Sequence, residues 1–298
     1  MFRNATGLTR RLLSPLNSRC FAESAKSSLV EVSSTPNGIY TVTLNNPKKH
    51  NALSFEMFTS ISSTAQSLRS NSSVRCVILN GAGKSFCSGL DVPSMVKNPS
   101  NGSKLLERPF SQSPGTSISN LAQDVGYLWR QCPFPVIAAI HGKCYGGGLQ
   151  IALGADFRYA TPDSEFSIME AKWGIIPDMS GSVTLREVGV GLDLIKELAM
   201  TAKIFKGREA KEYGLVSRVV DDHMAEAMDV AEQIVKRSPD AVALTKRLFN
   251  ETWNNMSEEE ALILETDLQK KLLPSWNQIA ASAKNFGMDL PYKGRTVG

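Results

Sequence analysis

The chain has 298 residues, 42% of them hydrophobic, and a formal net charge of +4 at pH 7. That length buries a sizeable core without staples, so neither disulfides nor a structural metal is needed for folding. Most of the positive excess sits at the amino end, the rest is close to neutral, and no apolar run nears the roughly 18 residues that span a bilayer; a nucleic-acid groove and an integral membrane segment are both disfavoured.

The first segment, "MFRNATGLTRRLLSPLNSRCFAESAKSS", is rich in Arg and Ser and carries Glu23 as its one acid. Wound as a helix it is amphipathic, which is the composition of an organellar transit peptide, and Arg10 and Arg11 interrupt the apolar run a secretory signal needs. Residues 1–28 are therefore expected to be a leader that addresses the chain to the mitochondrial matrix, with cleavage near Ala22; a basic disordered tail is the alternative. The carboxyl end, "RTVG", lacks the peroxisomal tripeptide. Five cysteines without CxxC spacing fit reduced thiols. His50, His141 and His223 lack metal-ligand spacing, so no metal site is expected.

"GIYTVTLNN" alternates apolar and polar residues as a half-buried strand does, "ALSFEMFTSISSTAQSLRS" recurs with helical period, and "VRCVILNGAG" returns to strand with a glycine stop. Strand, helix, strand in that order predicts a crossover on a mostly parallel sheet. The stretch from Val92 to Ala122 is dense in Ser, Pro, Asn and Gly and reads as a long surface excursion of the kind that forms lids. "PVIAAIHGKCYGGG" repeats the strand-to-glycine theme, "GLQIALGA" reads as a helix, and "DFRYAT" and "SEFSI" as strands. From Asp193 onward the pattern is almost wholly helical, including "GREAKEYGLVSRVV". The expected organisation is an α/β core over 29–192 and a helical region over 193–298.

Two glycine-bearing strand ends, "GKSFCSGLD" and "HGKCYGGGLQ", each follow an apolar run and open a probable helix. Unpaired N–H groups at such places point outward, and two aimed at one point bind an oxyanion such as a thioester enolate. The alternative is a pair of tight turns, and Gly146, Gly147 and Gly148 fail the GxGxxG spacing of dinucleotide sites. Downstream, "FSIMEAKWGIIPDMSGS" sets Glu170 and Asp178 on either side of an apolar linker. Ile168, Met169, Trp173, Ile175 and Ile176 around them would raise carboxylate proton affinity toward working pH by desolvation, and Pro177 restricts the backbone before Asp178. Glu170 also reads as a surface acid beside Lys172, and Asp178 as a cap for the helix that follows. Asp91 reads as a helix cap, and Asp156 and Arg158 as structural.

Taken together, "TVTLNNPKKHNALSFEM", "GKSFCSGLD", "HGKCYGGGLQIALGADFRYAT" and "FSIMEAKWGIIPDMSGS" resemble the crotonase family, the enoyl-CoA hydratase/isomerase superfamily. The resemblance implies an α/β fold, a crotonase-like spiral of repeated beta-beta-alpha units with a helical carboxyl-terminal trimerisation region. It implies acyl-CoA thioester substrates, no separate cofactor because CoA arrives on the substrate, and a homotrimer or a dimer of trimers. By position the oxyanion donors are the amides of Leu90 and Gly147. Substrate contacts fall on Ala52, Leu53, Ser88, Gly89, Leu90, Gly146, Gly147 and Gln150, with Ala52 and Leu53 matching the turn that cradles the CoA adenine. Similar hydratases carry one glutamate directly after the "GGGx" stretch and a second twenty residues on. Here Gln150, which cannot ionise, takes the first place and Glu170 the second. Isomerases of the dienoyl-CoA type resemble the chain in having an aspartate where Asp178 stands, but carry an aspartate in place of Gln150. The resemblance therefore implies an isomerase that moves a carbon-carbon double bond, with Glu170 and Asp178 as catalytic proton carriers. The alternatives are an enoyl-CoA hydratase using Glu170 alone and a non-catalytic acyl-CoA-binding or scaffold member.

Overall fold

The computed structural model describes residues 28–108, 118–253 and 256–297, so the leader lies outside the described residues apart from its last position. The ordered chain enters as a hairpin, β1 (Val30–Ser34) antiparallel to β2 (Ile39–Leu44). α1 (Phe55–Ser70) begins at Ser54, whose hydroxyl accepts the Met57 N–H. It buries Met57, Phe58, Ile61, Ala65 and Leu68, the three-and-four spacing of one helical face. β3 (Cys76–Gly81) then pairs parallel with β2.

Val92 to Ala122 is more ordered than its composition indicates. α2 (Val92–Lys97) and α3 (Pro99–Leu106) occupy its first half, and 109–117 lie outside the described residues. The expected surface excursion is thus corrected in part: prolines at the starts of both helices favour initiation, and Leu105 is buried in the core. Asp91 caps α2 through the Ser94 N–H, as its position foretells. α4 (Leu121–Gln131), which composition alone does not mark, starts with a reciprocal cap between Asn120 and Gln123.

Two further turns follow the same plan. β4 (Val136–Ile140) leads into the short β5 (Lys143–Tyr145) and α5 (Gly147–Leu153); β6 (Phe157–Ala160) leads into β7 (Glu165–Ser167). After β7 come α6 (Gly181–Glu187), α7 (Leu192–Thr201), β8 (Phe205–Lys206), α8 (Gly207–Glu212), β9 (Arg218–Val219) and α9 (His223–Val235). α10 (Pro239–Thr252), α11 (Glu258–Leu272) and α12 (Trp276–Asn285) close the chain. The main sheet runs β1-β2-β3-β4-β6-β9, parallel from β2 onward, and a smaller sheet runs β5-β7-β8. Each turn of chain gives one strand to the large sheet and a short one to the small sheet, which makes the structure a spiral. "GLVSRVV", read as helix, instead supplies β9, because its backbone completes the exposed edge beside β6.

Alternation along the parallel strands explains their unbroken apolar runs. Val136, Ala138 and Ile140 face the core beneath α1, α4 and α5, whereas Ile137 and Ala139 face Ala227 and Ala231 of α9. With both faces covered, the carboxyl ends of β3 and β4 are held rigidly, and the chain leaving them forms the site.

Candidate active site

The two glycine-bearing strand ends are brought side by side by main-chain pairing. Cys87 forms a parallel bridge with Cys144: the Cys87 N–H donates to Lys143 O at 2.9 Å and the Tyr145 N–H to Cys87 O at 3.0 Å. Continuing that register sets Leu90 opposite Gly147. Close approach there needs glycine: Gly89 has φ +88°, and a Cβ on it would meet Tyr145 O at 2.8 Å. Leu53 braces the segment from behind, its N–H donating to Gly89 O at 2.8 Å while its carbonyl accepts from Asp91 N at 3.0 Å. Among the described residues, neither the Leu90 nor the Gly147 amide donates to a backbone acceptor outside regular elements. Gly147 opens α5, where a helix leaves its first N–H groups unpaired.

These strand ends form one wall of a cavity of about 280 Å³ lined by Ser88, Gly89, Leu90, Gly146, Gly147, Glu170 and Asp178. The rest of the lining is apolar. Phe58 comes from α1, Met95 from α2, Leu105 and Leu106 from α3, and Met169, Trp173, Ile175 and Met179 from the segment that carries the acids. Both acids therefore reach one cavity with both expected donors. Ala52, Leu53 and Gln150 are buried and do not line it; Leu53 braces Leu90, and Gln150 sits behind the acids. The walls given by Phe58, Met95 and Leu105 are not legible in the sequence, since a periodic apolar residue on a helix reads as ordinary core.

Glu170 opens a short 3-10 turn, Glu170–Trp173, that ends at left-handed Gly174. It is 6% exposed, which excludes the surface-acid reading. Its Oε1 accepts from Gln150 Nε2 at 2.6 Å, and its Oε2 is sealed from water without a hydrogen-bond partner. Gly146, at φ +49°, makes room for this carboxylate, because a Cβ there would sit 3.3 Å from Oε1. Burial pushes the Glu170 carboxyl above the usual carboxylate range; the Gln150 bond offsets part of the rise and the nearby Asp178 charge adds to it. Asp178 is also raised, chiefly by burial. Two acids whose charges oppose one another favour a state in which one holds a proton and the other is ionised. Asp178 does not cap α6: the cap position is Ser180, at φ 75°, and it makes no side-chain cap bond.

The surroundings are structural, as expected. Asp156 accepts from Val136 N and pairs with buried Lys246 at 2.8 Å, and Arg158 donates to Leu215 O and Ala155 O. Trp129 is core. Among the described residues no three His, Cys, Asp or Glu side chains are grouped to hold a metal ion, and no helix is long and apolar enough to cross a membrane.

A spiral of stacked strand-strand-helix turns, with an acid-bearing apolar cavity at the strand ends, defines a crotonase-fold protein. The sequence profile of the enoyl-CoA hydratase/isomerase family matches residues 34–286, and the chain belongs to that family. It is 36% identical over 230 residues to the peroxisomal delta(3,5)-delta(2,4)-dienoyl-CoA isomerase of Arabidopsis thaliana, covering 76% of this chain and 82% of that one. It is 33% identical to enoyl-CoA hydratase EchA19 of Mycobacterium tuberculosis, covering 78% and 85%. Among solved structures, an enoyl-CoA hydratase from Bacillus anthracis superimposes with a TM-score of 0.77 at 27% identity, covering 90% of this chain and all of that one (100%).

Proposed function

We propose that the protein is an acyl-CoA isomerase that shifts a carbon-carbon double bond in an enoyl- or dienoyl-CoA thioester. The observation that carries the reading is the presence of two carboxylates, Glu170 and Asp178, in one apolar cavity with the Leu90 and Gly147 amides. The ionised acid takes a proton from a carbon made acidic by the thioester. The electron pair moves through the conjugated system onto the thioester oxygen, where the two amides stabilise it. The protonated acid returns a proton further along the chain, and the double bond re-forms in its new place. No water is consumed and no cofactor enters apart from the CoA on the substrate. The names of the plant and rat relatives, both dienoyl-CoA isomerases, support this branch, and the rat protein, 32% identical, is named as mitochondrial. We place the enzyme in the mitochondrial matrix on the composition of its leader.

The hydratase names among relatives and solved structures favour a second reading, addition of water with Glu170 alone. The test presents a panel of short to long 3-enoyl-, 3,5-dienoyl- and 2-enoyl-CoA esters in water carrying heavy oxygen. Double-bond movement seen by ultraviolet absorbance, without heavy oxygen in the product, is expected. Steady incorporation of solvent oxygen with no bond shift overturns the isomerase reading. Absence of both, with no exchange of substrate hydrogen for deuterium, makes the protein a binding module.

A further inference from the structure

Gln150 is nearly completely buried, 3% exposed, and is the one side chain bonded to both acid-bearing segments. Its Oε1 accepts from Met179 N at 2.9 Å and from Gly181 N at 3.0 Å, gripping the turn immediately after Asp178. That turn contains Ser180 at φ 75°, a left-handed conformation that persists for a non-glycine residue only when its surroundings enforce it. Two N–H donors converging on one atom require that atom to be the carbonyl oxygen, so the NH2 faces Glu170 without ambiguity. Nε2 then holds Glu170 Oε1 at 2.6 Å and leaves Oε2 as the unpartnered oxygen.

We propose that Gln150 is a positioning residue for both proton carriers and that, as a neutral amide, it directs the site toward moving a proton within the substrate over adding water. The proposal rests on the isomerase reading. A carboxylate at 150 also accepts from Met179 and Gly181, but it meets Glu170 Oε1 at the distance now bridged by an N–H. The pair then has to hold a proton, and a third ionisable group stands ready to deprotonate water. An amide donates at every pH and takes no proton from water. Because it accepts on one side and donates on the other, it orients the two acids while leaving the proton count of the site to them.

The experiment compares wild type, Gln150→Glu and Gln150→Met by the pH profile of isomerisation and by heavy-oxygen incorporation into 2-enoyl-CoA. Gln150→Glu keeps both main-chain acceptor contacts and therefore keeps the fold. Its like charge beside Glu170 moves the acidic limb of kcat/KM upward by about one pH unit or more, and solvent-oxygen incorporation rises about tenfold or more as a water base becomes available. Gln150→Met keeps the length and loses both bonds. Its kcat falls roughly 10- to 100-fold through misplacement of the acids, with KM changed much less, and with no gain in oxygen incorporation. A merely structural residue leaves the acidic limb in place. Wild-type pH limbs and wild-type oxygen incorporation in Gln150→Glu, or unchanged kcat in folded Gln150→Met, overturn the proposal. A wild-type enzyme that moves no double bond removes the isomerase reading itself, a result distinct from either.

Discussion

Replacing Glu170 by glutamine tests the assignment through two independent readouts. The substitution is nearly isosteric, and Gln150 Nε2 at 2.6 Å from Oε1 dictates how the new amide sits: its oxygen takes the place of Oε1 and its NH2 the place of Oε2. The site thus keeps its shape and loses the one oxygen able to take a proton. A positioned acid or base contributes roughly 10²- to 10⁴-fold, so kcat should fall by that factor, about 3–5 kcal/mol of barrier at 1.36 kcal/mol per tenfold. Affinity for CoA should be nearly unchanged. Stability gives the second readout. A carboxyl whose proton affinity is raised on folding contributes stability fully below its unfolded value, near 4.5, and that contribution is lost as pH rises through the folded value. Wild type should therefore lose stability relative to Glu170→Gln as pH climbs from about 4.5, while the variant lacks this slope. The new NH2 lacks an acceptor at a water-sealed position and costs about 1–3 kcal/mol at every pH, so the slope is diagnostic and the absolute melting temperature is not. Denaturant titrations between pH 4 and 8 and steady-state rates on the best ester measure both. Turnover within about tenfold of wild type, below the usual range for a lost acid or base, refutes the catalytic role. Parallel pH profiles of stability refute the buried, raised carboxyl.

Asp178→Asn should lower isomerisation by about 10²-fold or more while relieving the charge that helps raise Glu170, so any residual activity shows an acidic limb shifted downward; an upward shift in the pH–rate profile contradicts the coupling. Gly89→Ala places a Cβ 2.8 Å from Tyr145 O at a φ of +88°, so the Leu90 amide must move, and kcat should drop by about 10²-fold, the usual effect of losing one oxyanion donor, with KM less affected. Leu106→Trp, on the α3 wall, should reduce kcat/KM for long acyl chains relative to short ones; an unchanged ratio would show that the tail leaves by another route. Lys246→Met leaves Asp156 buried without its ion-pair partner and should cost about 3–5 kcal/mol in denaturant unfolding.

What the sequence discloses follows the range of the physics involved. Strand and helix periods are local, so the crossovers from β2 through α1 to β3, and from β4 into α5, are legible from apolar spacing and glycine stops. β8 and β9 span two residues each and exist because an edge strand offers them hydrogen-bond partners, which no short window records. α2 and α3 hide in a Ser- and Asn-rich stretch whose composition signals loop, although prolines at their first turns favour helix and Leu105 anchors them in the core.

At the site the same division holds, with one instructive exception. Glu170, Asp178, Gly89 and Gly147 are visible because their types and spacing carry chemistry, and the resemblance to a known family orders them. Gln150 reads in sequence as the loss of an acid. In three dimensions it is a gain of connectivity, since its partners lie twenty, twenty-nine and thirty-one positions downstream. An acid in its place can accept bonds from the Asp178 turn but, once ionised, has no hydrogen to give Glu170; an amide does both at once. The position therefore bears on reaction choice through its capacity to donate, a property that becomes meaningful only when the fold supplies an acceptor on one side and two donors on the other.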